Sequence, residues 1–163
     1  IMAYIAVNST DEFVRLDIIS NGTTYAAAAN AFSTATADIL TVPALQDVTV
    51  NATPGTFRWK ELGSLSEKVV TLPSTNSIAV TMVLDDVAFF TGANATPGIF
   101  EITNEKQPVY FRLYWQGDEA GDRYIQGEGY LEALAPTVNP DAPVWTSPLT
   151  ISVTGDFDSQ ILP

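Results

Sequence analysis

Four prolines fall within residues 136–148, at Pro136, Pro140, Pro143 and Pro148, and the residues after them alternate up to Gly155. Proline fixes φ and removes a backbone donor, so this run excludes a helix or a central strand and predicts a stiff, extended connection. Leu149, Ile151 and Val153 alternate with Thr150, Ser152 and Thr154, the period of two of a half-buried strand. Together they predict a strap that crosses one end of a β-domain at fixed length and delivers its final strand.

A chain of 163 residues is read as one domain, 1–163, long enough to bury a core. An apolar content of 46% against 16% charged residues excludes a disordered chain. So few charges point to a surface partly covered by other subunits, with Ser- and Thr-rich strands as the alternative explanation. Nineteen acids against seven bases give a net charge of -12, the wrong sign for binding phosphate backbones. The acidity reads either as solubility or as a surface that a polyanion passes without sticking. Cysteine and histidine are both absent, which removes disulfides, thiolate chemistry and the commonest base and metal ligand. No apolar stretch reaches membrane-spanning length and no signal-peptide pattern opens the sequence. The sequons at Asn8, Asn21, Asn51 and Asn94 are therefore expected as turn chemistry.

The first strand is expected over 12–20, with Val14, Leu16 and Ile18 on one face, followed by a turn at 20–24. Residues 25–42 are rich in Ala, Thr and Ser and carry no amphipathic period. They are expected to form a long small-residue hairpin or arm, with a short helix as the alternative, and Tyr25, Ala26, Asn30, Phe32 and Thr36 are its candidate assembly residues. Residues 47–63 give a short strand, a turn and a segment around Phe57 and Trp59. Ile78, Val80, Met82 and Leu84 define the strongest strand of the middle. The phrase Asn-Ala-Thr-Pro-Gly-x-Phe occurs at 51–57 and at 94–100 with unlike flanks, and is read as reused turn chemistry.

Thr96 as N-cap and Pro97 as first helical residue predict a helix through about Lys106, with Glu101 and Glu105 on one face. A hairpin over 108–134 follows. Folded about Ala120, it places Arg112 opposite Glu128, Tyr110 opposite Tyr130, and Phe111 opposite Gly129.

No arrangement points to catalysis. Asp85 and Asp86 are neighbours that point to opposite faces of a strand, and read as a strand-end turn. Asp118, Glu119 and Asp122 do not have the spacing of an EF-hand loop and read as turn acids. Asp156 and Asp158 read likewise. Tyr110, Tyr114, Tyr124 and Tyr130 fit either a cross-strand cluster or a sugar-binding face. No nucleophile elbow, phosphate loop or metal motif is present, so no enzyme activity, cofactor or metal is expected.

From Ser77 onward the order is Ile-Ala-Val-Thr, a short helix, Tyr-Phe-Arg-Leu, and Tyr-Ile-Gln-Gly-Glu-Gly-Tyr-Leu. A proline-containing crossing and a last alternating strand ending in Gly complete it. Over 77–157 this resembles the major tail, or tail tube, protein of long-tailed bacteriophages. The resemblance implies a mainly β fold, a β-sandwich or small barrel with one flanking short helix. It also implies a structural virion protein, made in the host cytoplasm and located in the tail, whose copies form hexameric rings stacked into a tube for DNA ejection. Partners so implied are the chain itself and the tape measure, tail-tip and tail-terminator proteins, with DNA in transit without specific binding. An acidic lumen follows from that role, with Glu128 and Glu132 as candidate lining residues. The alternatives are a carbohydrate- or receptor-binding β-sandwich module and the tube protein of a contractile injection system.

Overall fold

The computed structural model describes residues 14–20, 32, 39–42, 44–90, 97–117 and 119–163. Its strands are β1 (Arg15–Ser20), β2 (Leu40–Thr41), β3 (Leu45–Lys60), β4 (Glu67–Val83), β5 (Pro108–Tyr114), β6 (Arg123–Glu132), β7 (Thr137–Asn139), β8 (Ala142–Val153) and β9 (Asp158–Ile161). Two short helices, α1 (Asp86–Phe89) and α2 (Ile99–Asn104), lie between β4 and β5. All strand pairs are antiparallel and join in one sheet of order β2-β1-β5-β6-β8-β4-β3, with β7 added to β8 and β9 to β6.

Alternation decides which face is core. Leu16 and Ile18 of β1, Ile78, Val80 and Met82 of β4, Phe111 and Leu113 of β5, and Leu149 and Ile151 of β8 share one buried cluster. Both ends of the strand order contribute to that cluster, Leu40 from β2 and the half-buried Val48 and Val50 from β3, so the sheet curls over a single core. Each of the larger aliphatic or aromatic side chains contributes about 1.5–3 kcal/mol by leaving water. The faces expected for 14–18, 78–84 and 149–153 are the faces observed.

The strap is a hairpin instead. Residues 137–139 form β7 and pair back on β8, which runs without a break through Pro143 and Pro148. Moreover, Thr150, Ser152 and their neighbours sit between β6 and β4, in the middle of the sheet. The hydrogen-bond phase explains how a proline is accommodated. Leu84 N–H donates to Trp145 C=O at 2.9 Å, and bonded and non-bonded pairs alternate along an antiparallel ladder. Pro148, opposite Thr81, therefore falls at a non-bonded pair toward β4. On its other side the β6 ladder has already ended at Glu132↔Thr150. Pro148 gives up an N–H where no strand requests one. Nor is this the last strand, because β9 follows and pairs with the first half of β6.

Three further expectations shift. The β5–β6 register is two residues from the expected one: Arg112 faces Gln126, Tyr110 faces Glu128 and Phe111 faces Gly127. A slip of two keeps every side chain on its face, so periodicity alone does not detect it. Helix α2 is shorter than expected, with Gly98 as N-cap making no side-chain cap bond, and Ile99 and Ile102 are its buried residues. Thr96 lies outside the described residues. Finally, the first Asn-Ala-Thr-Pro-Gly phrase lies inside β3, where the register shifts between Thr53 and Gly55, and forms a bulge rather than a turn.

Candidate assembly surface

β3 and β4 make the longest element of the molecule, a ribbon whose Cα register runs from Leu45↔Met82 to Lys60↔Glu67. Only Asn76–Val83 of β4 also pairs with β8. Beyond the bulge, Gly55–Lys60 and Glu67–Leu72 pair with each other alone. Pro54 and Pro73 flank this transition, where neither strand needs a second ladder partner. Ser74 Oγ donates to Asp156 Oδ1 at 2.7 Å and Asn76 Nδ2 to Gly155 C=O at 2.8 Å, which ties the root of the ribbon to the β8–β9 turn.

The projecting ribbon is amphipathic. Cross-strand pairing puts Phe57, Trp59, Val70 and Leu72 on one face, with Lys68 opposite Trp59 at its end and the Phe57 and Trp59 rings stacked at 5.8 Å. Thr56, Arg58, Lys60, Glu67 and Thr71 occupy the other, with Val69 opposite Arg58, and there Arg58 pairs with Glu67 at 3.4 Å. Phe57 is 54% exposed, and the turn ends in Leu62 and Leu65 at 106% and 98%. An isolated two-stranded ribbon is marginally stable in water. An apolar face left open on one marks an interaction site. The sequence carried a signal for it: Thr-Phe-Arg-Trp-Lys alternates before Gly63, which takes φ +87 in the turn, and the β-branched run Val-Val-Thr follows it.

A second open apolar surface lies at the other end of β4. A cleft of about 560 Å³ is lined by Leu84, Phe89, Phe90, Phe100, Pro136 and Trp145, with Asp85 and Asp86 on its rim. Phe89 meets Phe90 edge-on at 4.8 Å and lies 5.8 Å from Phe100. Asp85 Oδ1 accepts from Ala88 N–H at 3.1 Å, so it caps α1, which is the strand-end turn expected for this pair.

The outer faces of the sheet divide in two. Across β1, β5 and β6 a buried polar layer runs from Arg15 and Asp17 to Asp158. Thr41 Oγ1 donates to Asp17 at 2.7 Å, Arg112 Nη2 to Gln126 at 3.1 Å, and Gln126 Nε2 to Asp158 at 2.8 Å. Tyr114 and Tyr124 are buried in it, with the Arg112 guanidinium 4.2 Å from the Tyr124 ring centre. The four tyrosines therefore form no open platform: only Tyr130 is exposed. Phe32 covers Arg112 from the other side at 4.8 Å. Of the candidate arm residues Phe32 is the described one; Tyr25, Ala26, Asn30 and Thr36 lie outside the described residues.

Across β6, β8, β4 and β3 the outer face is small and hydroxyl-rich. Thr49, Asn51, Ser77, Ala79, Thr81, Thr150 and Ser152 lie on it with Asp47, Glu128 and Glu132. Glu132 is exposed and Glu128 half-buried. Glu128 accepts a hydrogen bond from Tyr110, whose hydroxyl is pushed above its ordinary pKa by burial first and by the Glu128 carboxylate second. The β5–β6 turn is closed by Glu119 N–H on Asp122 at 3.1 Å, as expected of turn acids. No group of three acids able to hold a metal occurs among the described residues.

A single curled antiparallel sheet with short helices at one end and one long projecting ribbon is a tail-tube-like β fold. It is shared with a chain from the tail of an empty gene transfer agent particle, solved by helical refinement with C6 symmetry. That match has a TM-score of 0.60 at 12% identity over 95% of this chain and 99% of the other. A chain from the virion of a native gene transfer agent particle is similar at TM-score 0.54 and 11% identity, over 95% and 99% of the two chains. At such identities the likeness is one of fold. No protein-family model and no curated protein matches the sequence.

Proposed function

We propose that this protein is a structural tube subunit of a virion tail, not an enzyme, and that its copies form hexameric rings stacked into a conduit for DNA. The observation that carries this reading is the projecting β3–β4 ribbon, whose apolar face has nothing to pack on among the described residues. A fold shared with a tail chain of C6 symmetry supports it. Residues 25–38 act as a second assembly arm, anchored at Phe32 against Arg112. The arm is shorter than the expected 25–42, because Leu40 and Thr41 pair with β1 and Leu40 and Val42 are buried in the core.

The lumen is the hydroxyl-rich outer face of β6, β8, β4 and β3. Its charged residues are Asp47, Glu128 and Glu132, all acidic. Repeated at every ring, they line the channel with one sign of charge, felt by a duplex within a screening length of about 10 Å at 0.1 M salt. Phosphates are then repelled by the wall and do not pause at any ring. Tape measure, tail-tip and tail-terminator proteins are the further partners of such a tube.

Negative-stain electron microscopy of the purified chain tests the reading. Rings or tubes about one duplex wide inside are expected. A protein that stays monomeric at high concentration and binds glycans instead would overturn it in favour of a carbohydrate-binding module.

A further inference from the structure

The two open apolar surfaces sit at opposite ends of one strand. β4 is 17 residues long, from Glu67 beside the hairpin turn to Val83 beside the aromatic cleft. At about 3.3 Å per residue these ends are roughly 50 Å apart, so the hairpin tip cannot reach the cleft of its own chain. We propose that the tip of one copy inserts into the cleft of another, head to tail, and that this contact is the repeating joint of the assembly. The inference rests on the tube reading and names the surfaces that join.

Shape and charge agree on the occupant. Leu62 and Leu65 are the most exposed large apolar side chains described, and they flank Gly63 at the narrow end of the ribbon. The cleft offers Leu84, Phe90, Phe100 and Trp145 to receive them, the last three 53%, 45% and 52% exposed. Three of the chain's seven basic residues, Arg58, Lys60 and Lys68, lie at the tip against two of its nineteen acids, Glu61 and Glu67. Everything outside the tip is therefore strongly acidic. Arg58 and Lys68 are matched by Glu67 and Glu61, at 3.4 and 2.6 Å. Lys60 has no ion-pair partner among the described residues, while exposed Asp86 lies on the cleft rim. Insertion of the leucines brings a net positive tip to an acidic rim, a like-to-unlike approach that fixes orientation and disfavours tip-to-tip pairing.

A contact between two different patches is heterologous. It leaves a tip free at one end and a cleft free at the other, so it propagates and does not stop at a two-fold dimer. The apolar face behind the tip, Phe57, Trp59, Val70 and Leu72, is covered as the ribbon lies along the receiving copy.

Because the chain has no cysteine, introduced thiols report this contact without background. The variant carrying both Leu65→Cys and Pro136→Cys places one thiol at the tip and one on the cleft rim, neither in the core. Treated with a short bismaleimide after assembly, it should give a ladder of covalent species beyond the dimer on a denaturing gel. Each single variant should give none beyond the dimer. Wild-type-like tubes without a ladder overturn the joint. In parallel, Leu62→Asp with Leu65→Asp should raise the concentration needed for assembly by about tenfold or more, given the apolar area lost from the contact. Its monomer should melt as the wild type does. Lys60→Asp should weaken assembly, and Asp86→Lys in the same chain should restore it. Assembly untouched by the two aspartates removes the joint and leaves the tube reading standing. A wild-type chain that never assembles removes the tube reading itself.

Discussion

Arg112 Nη2 donates to Gln126 Oε1 at 3.1 Å across the β5–β6 ladder, while Glu128, two residues further along the same face, engages Tyr110. The cation is held between the Phe32 and Tyr124 rings, at 4.8 and 4.2 Å, and Gln126 passes the chain of bonds to Asp158 of β9. This layer fastens the C-terminal strand β9 to its ladder partner β6 across the outer face of the sheet.

Gln126→Leu should therefore destabilise the monomer by about 1–3 kcal/mol, the cost of stranding buried polar partners. Glu128→Gln should cost less than about 0.5 kcal/mol. Urea unfolding of both variants checks the order. A larger loss at Glu128 would mean that Arg112 is held by that carboxylate after all.

Gly129 has a steric reason to be glycine. A Cβ there would lie 2.2 Å from the Ser152 carbonyl oxygen, so β6 and β8 pass closer than any side chain allows. Gly129→Ala should cost about 3 kcal/mol by forcing these backbones apart. Thermal melting and amide exchange across Leu131 and Ile151 should both register the loss.

Excising the ribbon beyond its bulge, with residues 56–71 replaced by a two-residue turn, should leave the body folded. None of the buried core residues lies in that span. Circular dichroism should keep its strand signal and the melting midpoint should move by only a few degrees, whereas sedimentation should show loss of every species larger than the subunit. A truncated chain that unfolds would make the ribbon part of the fold.

Tyr110 predicts the alkaline limb of stability. Its pKa is raised from the ordinary 10.0, so the folded state holds the proton longer than the unfolded state. The associated stability is fully present below about pH 10 and is lost as pH rises through the folded value. Tyr110→Phe should flatten this loss. In Glu128→Gln, tyrosinate absorbance should appear at lower pH than in the wild type, with part of the shift remaining because burial is its larger cause. An unchanged titration would show that the carboxylate does not act on the hydroxyl.

Much of this was legible in the chain itself. Alternation over 14–18, 78–84 and 149–153 assigned the core faces, because a side chain's face depends only on its parity along a strand. The missing histidine and cysteine, and the scattered acids, told against a catalytic centre. The hairpin over 108–134 was legible in its faces but not in its register, since a slip of two residues preserves parity and the turn geometry alone settles it. The first strand of the ribbon was written as alternation too, yet 47–63 was read as a short strand and a turn because Pro54 and Gly55 interrupt it.

What the sequence determined by itself is local: which segments extend, which side of each faces the core, and the sign of the surface. Neighbours along the chain fix those properties through backbone sterics and side-chain period. The tertiary structure alone decided which strand lies beside which. A proline run became a central strand because Pro148 happens to fall where β4 offers a non-bonded pair and the β6 ladder has ended. Likewise, the hairpin tip and the aromatic cleft became opposite ends of one molecule only when β4 was laid between them as a single strand. Such relations depend on hydrogen-bond phase and on contacts between distant segments, which no local pattern encodes.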